Sequence, residues 1–246
     1  MAKIKDSCPK SSSGGYERVF ADKQIGDAVQ RVQSTVIRNG NELEKIIESN
    51  SVLVADLSEF LDNVQYGQIA DGVFLCAKGA KNRKEYLPKG HDPDLLIFQI
   101  MPTGNDCYIV ELKDGDNFDT KKASGEKAAL EECKDFLETK IPFVTNFYVC
   151  AFNQTDRESI VAGFKNRFDI NHVMTGKELC DILEIDYEEI LENRKKDASE
   201  NVEFFVAELL KSPLIRIQIG HELSKHISEP DFYMTDGLPE VTPWEP

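Results

Sequence analysis

Two short apolar runs joined by a turn constrain this chain most strongly. Residues 94–100 (Asp94-Leu95-Leu96-Ile97-Phe98-Gln99-Ile100) form the first run, and Cys107–Lys113 forms the second. A short, continuous apolar run is typical of a strand that is buried on both faces. Between the two runs, Pro102-Thr103-Gly104-Asn105-Asp106 supplies the residue types that form tight turns. We therefore predict an antiparallel hairpin inside a sheet.

Helical and extended patterns alternate around this hairpin. Asn39-Gly40-Asn41 separates two apolar periodicities and predicts the end of one helix and the N-cap of the next at Asn41. Thr175 and Glu178 have the spacing of a capping box. The other predicted elements are helices over Lys121–Thr139 and Ala198–Leu210 and strands over Phe143–Phe152, Ile170–Met174 and Leu214–Ile219. This order predicts an α/β fold with a mixed central β-sheet flanked by helices.

The length of 246 residues fits one large domain or one domain with a small appendage. Residues 1–15 contain Ser11-Ser12-Ser13-Gly14-Gly15 and predict a mobile N-terminal arm. Residues 16–228 are predicted to form a single domain. Residues 229–246 hold four prolines and five carboxylate side chains without Lys or Arg, which predicts an acidic, irregular tail.

The overall charge excludes one class of function. Twenty-nine Lys and Arg against 44 Asp and Glu give a net charge of −15, which argues against a protein that coats nucleic acid by bulk attraction. A local basic cleft is still compatible, and residues 78–89 carry five basic side chains against one acid. The six cysteines show no Cys-x-x-Cys pair, which predicts buried thiols in a reducing compartment. Without a long apolar segment or a secretory signal, we expect a soluble, cytoplasmic protein.

Charged side chains converge at one end of the predicted hairpin. Glu111 and Lys113 are two residues apart and therefore leave the same face of their strand, and antiparallel pairing places Asp94 opposite the Lys113 end. Paired carboxylates are suitable ligands for Mg²⁺, and an ammonium beside them can orient a water or stabilise charge that develops on phosphorus. The alternative is a solvated Glu111–Lys113 ion pair with Asp94 as a turn residue. Charges at the end of a buried strand need partners, which counts against this alternative.

Pro93-Asp94 followed by Glu111-Leu112-Lys113 resembles the PD-(D/E)XK nuclease superfamily, and the chain length is similar to that of its type II restriction endonucleases. The resemblance covers a core of about residues 40–152. It implies that Asp94 and Glu111 bind the metal and that Lys113 assists the attacking water. Many members also carry a glutamate a few residues after a glycine on the preceding helix. Gly40-Asn41-Glu42-Leu43-Glu44 fits this pattern and favours Glu44, ahead of Glu42 and Glu48.

The acidic-x-Lys tripeptide by itself is a weak signal, because it recurs along the chain. Glu132-Cys133-Lys134 and Glu138-Thr139-Lys140 lie in a predicted helix, where residues two apart do not share a face. Asp119-Thr120-Lys121 lies in a loop or at a helix start. Only Asp94, Glu111 and Lys113 are placed together on neighbouring strands. Glu126, on the following helix, could support a residue of the site or be an exposed acid, and we favour the exposed acid.

The resemblance implies a Mg²⁺-dependent, site-specific double-stranded DNA endonuclease of the type II restriction class. It also implies a homodimer and a cognate DNA methyltransferase in the same system. Two alternatives are a structure-specific repair nuclease or junction resolvase, and a non-catalytic nuclease-like module that binds DNA or protein. Base contacts are expected from residues 153–170 and 211–233. The residues predicted to contact the DNA backbone are Lys81, Arg83, Lys84, Lys89, Lys121 and Lys122.

Overall fold

The computed structural model describes residues 1–8, 14–115 and 120–227. Residues 9–13 of the predicted arm and the predicted tail, residues 229–246, lie outside this part of the chain. The helices are α1 (Gly14–Phe20), α2 (Lys23–Ser49), α3 (Leu57–Gln65), α4 (Thr120–Glu138), α5 (Arg157–Gly163), α6 (Gly176–Leu183), α7 (Tyr187–Leu209) and α8 (Pro213–Ile227). The strands are β1 (Gly72–Ala77), β2 (Leu95–Met101), β3 (Gly104–Lys113), β4 (Val144–Ala151) and β5 (Val173–Thr175).

The chain forms two compact units. The first consists of Met1–Lys3 and Thr35–Ser199 and contains the whole sheet. The second consists of the described parts of Ile4–Ser34 and Glu200–Pro246. Within the second unit, the Ser212 hydroxyl donates a hydrogen bond of 2.6 Å to the Asp22 carboxylate.

The sheet has five strands in the order β1-β2-β3-β4-β5. β2 is antiparallel to both β1 and β3, whereas β3, β4 and β5 are parallel to one another. Helix α4 is the connection between the parallel strands β3 and β4. The predicted mixed sheet with flanking helices and the predicted hairpin, formed by β2 and β3, are therefore confirmed. Strand β1 was not among the predicted elements.

Both faces of the sheet are buried, which explains the continuous apolar runs. Leu96 and Phe98 of β2 pack in one cluster with residues of α3, α4 and α5. Leu95 and Ile97, which alternate with them, pack in a second cluster that includes Leu43 of α2 and residues of α6. Burying a side chain of this size contributes about 1.5–3 kcal/mol relative to exposure. These two layers hold the ends of β2 and β3, and therefore the charged residues, in place.

Two predicted elements are wrong. Helix α2 continues through Asn39-Gly40-Asn41, and no new N-cap forms at Asn41. Leu43 and Ile47 on the following turns are fully buried, and their burial outweighs the cost of about 1 kcal/mol for a glycine inside a helix. Leu214–Ile219 belongs to helix α8 and not to a strand. Its apolar and polar residues alternate as in a strand, but no neighbouring strand lies beside this segment among the described residues. The local sequence instead starts a helix, because proline is favoured in the first turn after a polar residue such as Ser212.

Other local predictions agree with the structure. Thr175 and Glu178 form the predicted capping box, with reciprocal side-chain to backbone hydrogen bonds at the start of α6. Helix α4 and strand β4 lie within one or two residues of their predicted limits. The strand predicted over 170–174 begins only at Val173 in the structure, because Ile170–His172 forms a 3-10 turn before β5. None of the helices in the described residues is long and apolar enough to span a bilayer.

Candidate active site

Three charged residues lie in one row at the end of the three antiparallel strands. They are Lys78 after β1, Asp94 before β2 and Glu111 in β3. The register of both strand pairs, extended by one residue beyond the last partners, aligns these three positions. Lys113 follows Glu111 by two residues and leaves β3 on the same face. The structure therefore brings together the three residues predicted from the motif and adds Lys78.

Asp94 is the most enclosed member of the row, with 7% of its surface exposed. Its Oδ2 atom accepts a hydrogen bond of 2.6 Å from the backbone N–H of Leu112, which ties the start of β2 to the end of β3. Its Oδ1 atom accepts a hydrogen bond from the Lys78 ammonium. Each carboxylate oxygen of Asp94 thus has a defined partner, and the orientation of the carboxylate is set by the sheet itself.

Lys113 lies between two carboxylates. Its Nζ atom is 2.6 Å from Oε1 of Glu111 and 2.9 Å from Oε1 of Glu126 on α4. Burial by itself would lower the pKa of Lys113, but the charges and hydrogen bonds of the two glutamates outweigh it and raise that pKa. The side chain is therefore a fixed ammonium. Glu126 is half-buried and paired with Lys113, so the interpretation of it as an exposed acid is wrong.

The carboxylates of the site disfavour one another's ionisation. Burial raises the pKa of Glu111, and the nearby charge of Asp94 raises it further. Burial and the charge of Asp94 also raise the pKa of Glu44, which extends from α2 to within 3.7 Å of the Lys78 ammonium. Glu44 thus lies near the same group of charges, as expected from its place after Gly40. An excess of negative charge at one point of a buried sheet end favours a bound cation.

The donor chemistry fits a magnesium ion. Among the described residues, no group of three or more His, Cys, Asp and Glu side chains surrounds a common point as a complete metal cage. Mg²⁺ does not require one, because it is commonly held by one or two carboxylates and completes its shell with waters and substrate phosphate. Asp94 and Glu111 supply two carboxylates of this kind. Beside them, a cavity of about 150 Å³ is lined by Glu111, Glu126 and Pro93 among others, which leaves room for waters.

Arg83 occupies a place that the sequence did not predict. It is buried, with 1% of its surface exposed, and it donates hydrogen bonds to the Asp92 carboxylate and the Pro93 carbonyl. The guanidinium therefore fixes the residues just before Asp94, and this position does not fit the expected contact with a DNA backbone. The other predicted backbone-contact residues are all exposed, namely Lys81, Lys84, Lys89, Lys121 and Lys122.

A second buried arginine fixes the chain just after the motif. Arg194 of α7 lies 2.8 Å from Oδ1 of Asp114 and donates to the Asn153 side chain at the same distance. The Asn153 amide in turn donates to the Asp114 carbonyl at 2.6 Å. Asp114 follows Lys113 directly, so this cluster holds the end of β3. Both arginines come from segments distant in sequence, and no local pattern could have identified these contacts.

The arrangement of helix, hairpin, helix and strand, with charged residues at the hairpin end, is consistent with a restriction-endonuclease-like core. No protein-family model matches the chain, and no solved structure matches it. The chain is 44% identical over 231 residues to the Type II restriction enzyme HhaII of Haemophilus parahaemolyticus, and the aligned region covers 92% of this chain and all of that relative. The chain therefore belongs to the type II restriction enzymes, which are site-specific deoxyribonucleases.

Proposed function

We propose that this restriction enzyme is a Mg²⁺-dependent endonuclease that hydrolyses both strands of DNA at a short recognition sequence, with a PD-(D/E)XK catalytic site. One observation carries the proposal. Asp94, Glu111 and Lys113 share one face at one end of neighbouring strands, and all three are enclosed by defined partners. A solvated surface ion pair would have neither the burial nor the shared network.

The residues of the site have separable roles in this proposal. Asp94 and Glu111 hold the metal, and Glu44 acts nearby through water. A bound magnesium ion supplies Lewis-acid stabilisation of the phosphate and activates a water. The fixed ammonium of Lys113 donates hydrogen bonds to the attacking water and the phosphate. It therefore positions the water and stabilises charge that develops on the phosphate. Glu126 holds Lys113 in the orientation that this role requires.

The DNA contacts follow from the exposed basic residues and from the family. Lys81, Lys84, Lys89, Lys121 and Lys122 supply exposed ammonium groups for phosphate contacts, and Arg83 is left out because it is buried. Residues 153–170 and 211–233 supply the base contacts. The enzyme acts in the cytoplasm as a homodimer, because a two-fold symmetric protein recognises a palindrome and cuts both strands. A cognate DNA methyltransferase protects the host sites.

Cleavage of long DNA tests the proposed activity directly. The purified protein is incubated with phage DNA in Mg²⁺ and, in parallel, in EDTA, and the products are separated on a gel. Discrete bands that require Mg²⁺ are expected, and sequencing of their ends gives the recognition site. A smear, or preferential cleavage of branched substrates, would instead favour the repair nuclease. Specific binding to DNA without cleavage under any metal would favour the non-catalytic module.

The substitution Lys113→Ala tests the assigned site. It removes the ammonium that lies between Glu111 and Glu126, so we expect cleavage to fall by roughly 10²-fold or more, as for loss of a general acid–base or electrostatic group. Specific DNA binding should be largely retained. Lys134→Ala is the matched control, because Lys134 lies on α4 and pairs with Glu138 away from the motif. Cleavage by the Lys113 variant at the wild-type rate would mean that the site is assigned wrongly.

A further inference from the structure

Lys78 is the one member of the charged row that the proposed function leaves without a role. Its ammonium is hydrogen-bonded to Oδ1 of Asp94 and lies 3.7 Å from Oε1 of Glu44. The side chain is 39% exposed and reaches the site from the edge strand β1. Burial by itself would lower the pKa of Lys78, but Asp94, Glu44 and Glu111 together raise it, so the group stays a cation.

We propose that Lys78 is the internal counter-ion of the metal site, which neutralises Asp94 and Glu44 in the metal-free protein and is displaced when a divalent metal binds. This inference rests on the proposed function, because it assumes that Asp94 is a metal ligand. Lys78 acts through Asp94 and Glu44 and is therefore a positioning residue.

The hydrogen bonds of Asp94 explain why the Lys78 ammonium and a metal ion compete for this carboxylate. Its Oδ2 atom is already tied to the backbone of β3 through Leu112. A metal ion bound through Oδ1 of Asp94 would share this oxygen with the Lys78 ammonium. A divalent ion and an ammonium at the same oxygen repel each other, so the ammonium opposes the metal unless it moves away.

The structure also provides a route for the displaced ammonium. Lys78 lies on a flexible four-carbon stem and is partly exposed, so it can turn towards solvent without disturbing the core. A DNA phosphate is an alternative anionic partner for it. Lys78 thus couples the two ligands, because a phosphate that attracts the ammonium also frees Asp94 for the metal. Metal is then bound more tightly in the presence of DNA than in its absence.

Calorimetric titration of the full, DNA-free protein with Mn²⁺ tests the inference without relying on cleavage. Lys78→Met removes the charge but keeps the aliphatic length, and we expect it to bind Mn²⁺ about tenfold more tightly than the wild type. Lys78→Arg keeps a cation at this position and should therefore bind Mn²⁺ with about the wild-type affinity. Lys45→Met is the matched control, because Lys45 is exposed on α2 beside Glu44, and it should change the affinity by less than about twofold.

Two outcomes separate this inference from the proposed function. If Asp94→Asn abolishes Mn²⁺ binding while Lys78→Met binds no more tightly than the wild type, the counter-ion role is overturned and the metal site stands. If Asp94→Asn binds Mn²⁺ as tightly as the wild type, the metal site itself is wrong. Far-ultraviolet circular dichroism shows whether each variant is folded, and a misfolded Lys78→Met is replaced by Lys78→Gln, for which the same gain is expected.

Discussion

Replacement of Arg83 by methionine distinguishes its structural role from the DNA contact that the sequence predicts. The sequence places this residue in a basic segment and predicts contact with DNA, whereas the structure encloses it against Asp92 and Pro93. Methionine fills much of the same volume but cannot donate a hydrogen bond. The substitution therefore leaves the Pro93 carbonyl and the Asp92 carboxylate without this donor, directly before the metal ligand Asp94 of our proposal.

The expected loss of stability follows from the exposure of these groups. Removal of one partner from a buried ion pair costs about 3–5 kcal/mol. The Asp92 side chain is 38% exposed, so water replaces part of the lost interaction and the cost lies at or below the lower end of that range. We expect a decrease of about 2–3 kcal/mol in the free energy of unfolding, which corresponds to a fall in Tm of roughly 4–12 °C for a chain of this size.

Thermal and urea unfolding measure this loss, and a DNA-binding assay at fixed salt tests the DNA contact that the sequence predicts for Arg83. The neighbouring substitution Lys84→Met is the control, because Lys84 is exposed, and its effect on stability should stay within about 0.5 kcal/mol. Lys84→Met should weaken DNA binding slightly, in the manner of a lost phosphate contact. If Arg83→Met unfolds like the wild type while its DNA affinity falls as it does for Lys84→Met, Arg83 contacts DNA and has no structural role.

Three further predictions test the packing and charge of the chain. Gly176→Ala should destabilise the protein by about 1–3 kcal/mol in urea unfolding, because an added Cβ would lie 2.1 Å from the Phe152 carbonyl oxygen; unchanged stability would contradict that close approach. The Ser212 hydrogen bond lowers the pKa of Asp22, so Ser212→Ala should reduce stability above the ordinary aspartate pKa and lose this effect as the pH falls through the lowered value. Urea unfolding at neutral and acidic pH checks the sign, and an equal loss at both would contradict it. Of the six thiols, only Cys8 is exposed, and burial raises the pKa of the other five. A thiol reagent should therefore modify one cysteine rapidly in the native protein and six after unfolding, and rapid reaction of a second would contradict their burial.

The sequence by itself determined the elements whose signal is local. The β2–β3 hairpin follows from two apolar runs and a turn, and the capping box at Thr175 follows from a three-residue spacing. The shared face of Glu111 and Lys113 follows from the two-residue period of a strand. Together with Asp94 after its proline, these local rules place the three charged residues of the proposed catalytic motif at one end of the hairpin and predict the mixed α/β fold.

Only the tertiary structure decided the features that depend on long-range pairing. Lys78 joins the site because β1 pairs with β2 at the edge of the sheet, and that strand gave no recognised pattern. Arg83 is charged and lies among lysines, yet it is buried, with Nη1 bonded to the Asp92 carboxylate and Nη2 to the Pro93 carbonyl. Leu214–Ile219 alternates like a strand but has no strand beside it. A sequence pattern indicates which structures a segment can form. The elements that pack against the segment determine which of those structures is stable.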